Sequence, residues 1–367
     1  MKVAVIGAGP MGLVSSIAIK KFNPDFEVVL FEKNNDIGPR IKVSGNGRCN
    51  FNNVNVSVDK YNTDIIKDIL DCNEDVFKLL EETGFMHYAD NEGRCYPISE
   101  TSVTLLNVFK ILLEKYKVEV RLEEEITNIE FEGKLISIYG EKFDRLVLGI
   151  GGISSYNDRL CYEKLMSALP VNLTELTPSL APLSTSSFPK GLENRRVKCE
   201  VSLLCKGRIV KREKGEVLFK NSGLSGIVIF NMTSYLSRHH LKDYKDYQIS
   251  LNLLPNCSKE QVNELVKNKI NLHAILLDQL ASYIEQSSYQ VEMLTDLRFN
   301  IKGIYDFENS QVTSGGISLQ DINKDLSLRR NPRIYVGGEE IDVDGECGGY
   351  NIAFAMCSGY YIGKNIK

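Results

Sequence analysis

Three glycines and one acid near the start of the chain have a spacing suited to holding phosphates. Gly7-x-Gly9-x-x-Gly12 follows an apolar run, Lys2 to Ile6, and leads into a helical pattern carrying Leu13, Val14, Ile17 and Ala18. In that setting each glycine has a task. Gly7 permits a tight turn, Gly9 lets backbone approach a pyrophosphate, and Gly12 lets the helix pack closely on the strand. Pro10 and Met11 open the helix, whose N-terminal amides then face the phosphates. Glu32 lies twenty residues past Gly12, closing the run EVVLFEK with Lys33 after it. It is placed to take ribose hydroxyls, so a dinucleotide is the expected ligand.

The far end of the chain repeats the theme. Residues 334–350 read IYVGGEEIDVDGECGGY, an apolar strand followed by acids and by glycines that open a helix. Gly348, Gly349, Tyr350 and Asn351 would set helix N-terminal amides against the pyrimidine edge of a flavin, where negative charge develops on reduction. A nicotinamide-binding fold has no need of this second site. FAD is therefore the expected cofactor, with NAD(P)H left open as a transient electron donor.

The elements that must position these residues are legible in the hydrophobic pattern. Strand, helix and strand alternate from Lys2 to Phe31, which predicts a parallel sheet. A long polar connection spans 34–53, helical patterns occupy 63–72, 74–83 and 101–116, and strands are expected at 118–122 and 143–150, with a hairpin between 125 and 139. Pro178, Pro182 and Pro189 mark a change of composition. Alternation from Val197 onward, with a turn at Lys206-Gly207, predicts an antiparallel sheet or barrel whose short strands continue to Met232. Ser258 and Gln261 form a capping-box pattern that opens a helical pair, 258–269 and 272–287, and 297–310 returns to strand.

The expected fold is α/β: a Rossmann-like FAD-binding domain (1–177 and 311–367) interrupted by a barrel-like antiparallel substrate domain (178–257 and 289–310) and a small helical subdomain (258–288).

Composition narrows the function. The 367 residues are 43% hydrophobic with a net charge of −4, ordinary for a globular protein of two or three domains. Acidic and basic residues are interspersed and the cluster Lys211 to Lys214 reads as a solvated turn, so nucleic acid is not an expected partner. No apolar run approaches membrane-spanning length and the first core strand begins at Lys2, so a cytoplasmic protein is expected. The nine cysteines include no C-x-x-C pair, and His87, His239, His240 and His273 lack ligand spacing, so no metal site is expected.

Six motifs carry a resemblance to a known family: Gly7-x-Gly9-x-x-Gly12, Ser44-Gly-Asn-Gly-Arg-Cys-Asn50, Gly93-Arg-Cys-Tyr-Pro97, Gly223-Leu-Ser-Gly226, Val312-Thr-Ser-Gly-Gly316, and residues 337–351. The chain resembles bacterial NAD(P)/FAD-dependent oxidoreductases of the two-dinucleotide-binding-fold type, with aminoacetone oxidase-like and bile-acid-reductase-like members. The family usually shows a glycine where Asn46 stands, and a histidine and a proline around Gly223 to Gly226, where this chain has Lys220-Asn221 and Ile227. The resemblance implies that Ser44, Gly45, Gly47, Arg48 and Cys49 lie along the cofactor, with Lys42 as a neighbour. It implies that Glu339 receives a ribityl hydroxyl, with Asp342 as second candidate, and that Gly151 and Gly338 line the site.

The expected function is hydride transfer between flavin N5 and a small organic substrate. An amine or alcohol could be oxidised, or an activated C=C bond reduced. The alternative is a flavin-binding partner or sensor without turnover. The residues name no general base; Tyr350, Arg48 and Tyr96 are the candidates on the substrate side, and the oligomeric state is open.

Overall fold

The computed structural model describes residues 1–155, 159–186, 191–239 and 243–367. Pro189 and His240 lie outside the described residues. The chain forms two compact units, Met1–Leu176 with Val312–Lys367, and Thr177–Gln311.

The first unit is built on a six-stranded sheet. Strand Lys2–Ile6 lies between Glu27–Phe31 on one side and Arg145–Leu148 on the other, all parallel. Glu119–Arg121 continues the sheet beyond Glu27–Phe31, and Asn331–Val336 continues it beyond Arg145–Leu148, again in parallel. Ser327–Leu328 adds an antiparallel edge. Residues 3–5, 28–30, 146–148 and 334–336 are buried, because helices cover the sheet and leave its strands no polar face. Since the chain runs outward in both directions from Lys2–Ile6, the strand order reverses there. The crevice at the carboxyl ends of such strands is where open α/β sheets bind ligands.

Two helices complete this arrangement. Pro10–Phe22 and the C-terminal helix Tyr350–Asn365 cross at close range: a Cβ on Gly359 would lie 2.4 Å from the Met11 carbonyl oxygen, and one on Gly363 would lie 2.4 Å from the Ala18 Cβ. Glycines at the crossing let the two backbones approach and fix both helix starts over the same sheet edge.

Local assignments depart from the sequence expectations in several places. The connection 34–53 contains a short helix, Pro39–Val43, held by buried Ile37 and Ile41. The helix expected over 63–72 shrinks to one turn, Lys67–Leu70, which no side chain caps.

In the second unit, strands Leu183–Thr185, Gly223–Ser225, Arg208–Lys220, Arg196–Cys205, Tyr247–Asn252 and Leu297–Ile304 close, in that order, into an antiparallel barrel. Residues 227–232, expected as strand, belong to helix Ile227–Arg238. Their unbroken apolar run fits either element, and Val228, Ile229, Met232 and Leu236 enter the barrel's hydrophobic core from one helical face. Lys211 to Lys214 form part of the long strand Arg208–Lys220 rather than a turn. Ser258 caps helix Lys259–Lys267 with a complete capping box. Asp278–Glu285 and Gln290–Thr295 follow, and Val262, Leu280, Ile284 and Leu294 pack into the same core as the barrel. The strand expected over 297–310 ends at Ile304.

Candidate functional site at the carboxyl ends of the parallel strands

Four adjacent parallel strands run directly into Gly337, Gly149, Gly7 and Glu32. Steric room separates the glycines by role. A Cβ on Gly7, whose φ is +95°, would lie 2.3 Å from the Gly149 carbonyl oxygen, and one on Gly12 would lie 1.9 Å from that of Gly7. Both are glycine because the protein's own backbone fills the space. At Gly9 the nearest atom is 3.8 Å away, so the protein itself would admit a side chain there. Space left open beside a helix start is what an approaching pyrophosphate requires.

Helix Pro10–Phe22 begins on Gly9 and helix Tyr350–Asn365 on Gly349; neither has a side-chain cap or an acid in its first turn. Both present unneutralised positive dipole ends. These features fit a bound dinucleotide with its phosphates at the first helix.

Glu32 is 5% exposed. One carboxylate oxygen accepts from the Ala8 amide at 2.8 Å and the other from the Asn34 amide at 3.0 Å. The second oxygen also accepts from the Asn34 side chain at 2.5 Å, whereas the oxygen on Ala8 keeps a further lone pair. The acid therefore both anchors the glycine turn and can accept from a ribose hydroxyl there. Pro10 and Met11 occupy the first turn, and Lys33 is half-buried beside Glu32.

On the far side of the switch point, Glu339 accepts from the Thr313 amide at 2.7 Å and from the Ser154 hydroxyl at 3.1 Å. Arg40 stands 3.6 Å from it and donates to the Ser154 hydroxyl (2.9 Å) and carbonyl (2.6 Å). The neighbouring Glu340 is 1% exposed and accepts from the Gly151 amide at 2.9 Å. Burial pushes its carboxyl up to about 8. Gly338 donates to the Ser358 hydroxyl at 2.9 Å, and its α-carbon approaches Met11.

The loop Ser44–Gly47 has left-handed backbone at Gly45, Asn46 and Gly47. Asn46, where the family carries glycine, takes φ +56°, a value asparagine tolerates. Ser44 donates to the Ile41 carbonyl at 2.8 Å, and the buried Cys49 amide returns to Ser44. Burial pushes the Cys49 thiol up to about 12 and the Cys95 thiol up to about 11, so neither supplies a thiolate at neutral pH. The loop reaches the C-terminal glycines through asparagines: the Asn50 side-chain oxygen accepts from the Gly349 amide at 3.2 Å, and Asn53 donates to the Gly348 carbonyl at 2.9 Å. Asn351 holds the turn before its helix, accepting from the Gly345 amide at 2.8 Å. The Tyr350 carbonyl accepts from the Tyr61 hydroxyl at 2.8 Å, and burial raises its own phenol.

Three expected site residues sit apart from this cluster. Lys42 pairs with Asp36 at 3.0 Å on the surface. The exposed Arg48 guanidinium lies over the Tyr96 ring, 5.0 Å from its centroid. Asp342 is half-buried and faces Asn62, while Asp344, two residues on, is buried and accepts from Ser314 at 3.1 Å. Sequence reasoning missed Arg40, Ser154, Thr313 and Glu340. Thr313 and Glu340 lie inside the motifs Val312–Gly316 and 337–351, and Arg40 carried a signal as the charge next to Pro39 in the connection after Glu32; Ser154 carried none.

The family described as HI0933-like protein Rossmann domain matches residues 1–365. The chain belongs to that family. It is an FAD-dependent oxidoreductase, which sets aside a flavin-binding sensor without turnover. Among curated relatives, the 3-dehydro-bile acid delta(4,6)-reductase of Clostridium scindens is 24% identical over 99% of this chain and 98% of that protein. The ribosomal RNA dihydrouridine synthase of Haemophilus influenzae is also 24% identical, over 99% of this chain and 98% of that protein. Among solved structures, E. coli quinol fumarate reductase FrdA shares the fold at a TM-score of 0.51 and 13% identity, covering 99% of this chain and 69% of that one.

No helix among the described residues is long and apolar enough to cross a membrane, and no group of three or more acids, histidines and cysteines among them could hold a metal ion.

Proposed function

We propose that this protein reduces a carbon–carbon double bond conjugated to a carbonyl in a small organic molecule, with NAD(P)H as the electron source. The observation that carries the cofactor assignment is the meeting of glycines 7–12, 149–152 and 337–338 on one edge of a parallel sheet, with open space at Gly9. FAD, when bound, supplies two-electron hydride exchange. The chain's own residues do the holding. Met11 and Gly12 amides meet the phosphates, Glu32 accepts from the adenosine ribose, and Glu339, fixed by Thr313, Ser154 and Arg40, accepts from the ribityl chain. The start of helix 350–365 favours negative charge at the pyrimidine edge. Arg48 on Tyr96 and the Tyr350 phenol are the candidates for orienting the substrate carbonyl.

Reduction is preferred over oxidation because the two curated relatives named above carry names for the same bond chemistry. A delta(4,6)-reductase acting on a 3-dehydro-bile acid and a synthase of dihydrouridine each saturate a C=C bond conjugated to a carbonyl. Uracil in ribosomal RNA is the second candidate substrate, favoured by the full-length match to the H. influenzae enzyme. Against it stand the net charge of −4 and the pairing of Arg196, Lys211 and Arg212 with Glu216, Glu213 and Glu200.

The test is an anaerobic absorbance titration with NADH and NADPH, followed by a 3-oxo-4,6-diene steroid, a uridine-containing ribosomal RNA fragment, or an oxidisable amine or alcohol. Bleaching by a nicotinamide and reoxidation by the dienone support the proposal. Reoxidation by the RNA alone moves the substrate to uracil. Bleaching by the amine or alcohol, with none by a nicotinamide, overturns reduction as the direction.

A further inference from the structure

Glu340 is a buried acid without a counter-ion. It sits at the end of the turn Gly338–Glu340, 1% exposed, and among the described residues no cationic side chain pairs with it. Its side chain accepts from the Gly151 amide at 2.9 Å, and the Ile150 amide and its own amide also act on the carboxyl. The other carboxyl oxygen lies beside Gly338: a Cβ there would stand 3.6 Å from it and 3.3 Å from the Met11 Cβ. The acid thus lies beneath the point where the glycine turn after Leu148, the turn after Val336 and the first turn of helix 10–22 converge.

Backbone amides face it, but no side chain among the described residues favours its charge. Glu339, its neighbour, already takes the Arg40 guanidinium. Tyr162, from helix Arg159–Ser167, is within electrostatic reach of both acids, and its buried hydroxyl has no hydrogen-bond partner among the described residues. The loop at Gly316 and Ile317 contributes backbone only, with the Ile317 amide donating to the Glu340 carbonyl at 2.7 Å. Burial raises the Glu340 carboxyl most; the Gly151 amide, its own amide and the Ile150 amide work against burial, and the Glu339 charge adds to burial.

We infer that Glu340 holds a proton beneath the cofactor site, that its neutral form seats Gly151 for FAD, and that loss of this proton weakens FAD binding. This rests on the placement of FAD proposed above. An ionised Glu340 would set a third negative charge, poorly screened, near a pyrophosphate that carries two. By linkage, FAD favours the protonated acid, and binding in the window where the free protein has begun to ionise draws a proton from solution. Glu340 therefore acts as a positioning residue and touches neither substrate nor hydride.

The test uses the full chain freed of its FAD. The FAD Kd is measured by flavin fluorescence from pH 6.5 to 9, in wild type and in Glu340→Gln, whose amide keeps an acceptor for Gly151 and cannot ionise. Wild-type Kd is expected to weaken roughly tenfold between pH 7 and 9 while the variant stays flat. Calorimetry at pH 8 in two buffers of different ionisation enthalpy should show uptake of about half a proton per FAD in wild type and none in the variant. A flat wild-type profile, or parallel slopes in both proteins, overturns the inference and leaves the FAD site standing. Should the variant fail to fold, the wild-type slope and proton uptake still decide it. No FAD binding by wild type at any pH instead removes the site itself.

Discussion

One helix start in the barrel unit and two in the cofactor unit are satisfied in opposite ways. The contrast lies between these three starts and not between the units, since Ile227–Arg238 in the barrel unit also opens uncapped on Gly226 and Ser102–Lys115 in the cofactor unit is capped by Thr101. In the barrel unit, Lys259–Lys267 opens on Ser258, whose side chain accepts from the Gln261 amide while Gln261 returns to the Ser258 amide, and Glu260 adds a negative charge to the first turn. In the cofactor unit, Pro10–Phe22 and Tyr350–Asn365 open on glycine, uncapped and without acids. The first helix satisfies its own N-terminus; the other two leave theirs for something else. A missing cap costs about 1 kcal/mol, and an anion at the helix start returns a similar amount. An uncapped start alone does not mark a ligand site; at Pro10–Phe22 and Tyr350–Asn365 it coincides with glycine turns at the carboxyl ends of the parallel strands, and that coincidence is what fits them to a ligand.

The comparison breaks most directly at Gly9. Its backbone is already extended, with φ −75° and ψ −179°, so Gly9→Asp can act as an N-cap without strain. The ligand-free protein should gain about 0.5 kcal/mol, read as a rise in Tm of about 1–2 °C. The carboxylate would occupy the space meant for a pyrophosphate and repel it, costing on the order of 3 kcal/mol, roughly 100-fold in FAD affinity. A variant that is both less stable and still yellow would show that the open helix start has no bearing on the cofactor.

That opposition between stability and binding was partly legible in the residues alone. The fingerprint glycines could be read because close approach leaves glycine no substitute, and the Ser258 capping box because both partners lie within one turn. What escaped were partnerships made over distance. Arg40 reaches Ser154, 114 residues on, and Glu340 reaches Gly151, 189 residues back. Nothing near either residue announces its partner. The pair Glu339-Glu340 also hides a division of labour that the fold imposes: one acid is turned toward Arg40 and Ser154, the other into the core. The apolar run 227–232 failed for a different reason. Periodicity cannot separate a buried strand from a helix in so short a stretch, and the contacts made by Val228, Ile229 and Met232 decide it.

Arg40 offers the next largest effect. Arg40→Ala removes donors to Ser154 and leaves Glu339 without its cation, which should cost about 2 kcal/mol of stability. FAD affinity should fall about tenfold as Glu339 loses its fixed orientation. Arg40→Lys should recover little of either, because an ammonium cannot span Ser154 and Glu339 as the planar guanidinium does. Denaturant unfolding and flavin fluorescence on the same samples separate the two losses. Equal behaviour of the lysine variant and wild type would reduce Arg40 to a point charge.

Ser258→Ala tests the other side of the comparison. Loss of the capping box should cost about 1 kcal/mol locally and leave FAD affinity unchanged. Hydrogen exchange at amides 260–267 should speed up while exchange in helix 10–22 does not change. Matching losses of protection at both helices would mean that the two helix starts are not independent.

The smallest effect belongs to Lys42, two residues from Arg40 on the same short helix and half-exposed, with its ammonium on Asp36. Lys110 holds the Asp36 carboxyl down, to about 2, with Lys42 contributing after it. A carboxylate whose folded pKa is depressed stabilises above its unfolded value and loses that contribution as pH falls toward the folded one. Any difference between wild type and Lys42→Ala should therefore be full at pH 5 and above, and fade between about pH 4 and 2. Solvent screening keeps it within about 0.5 kcal/mol. FAD affinity should stay within twofold, because the lysine's partner is a surface acid and not the cofactor. A tenfold loss in Lys42→Ala would return this residue to the site and would mean that the ion pair with Asp36 opens when the cofactor binds.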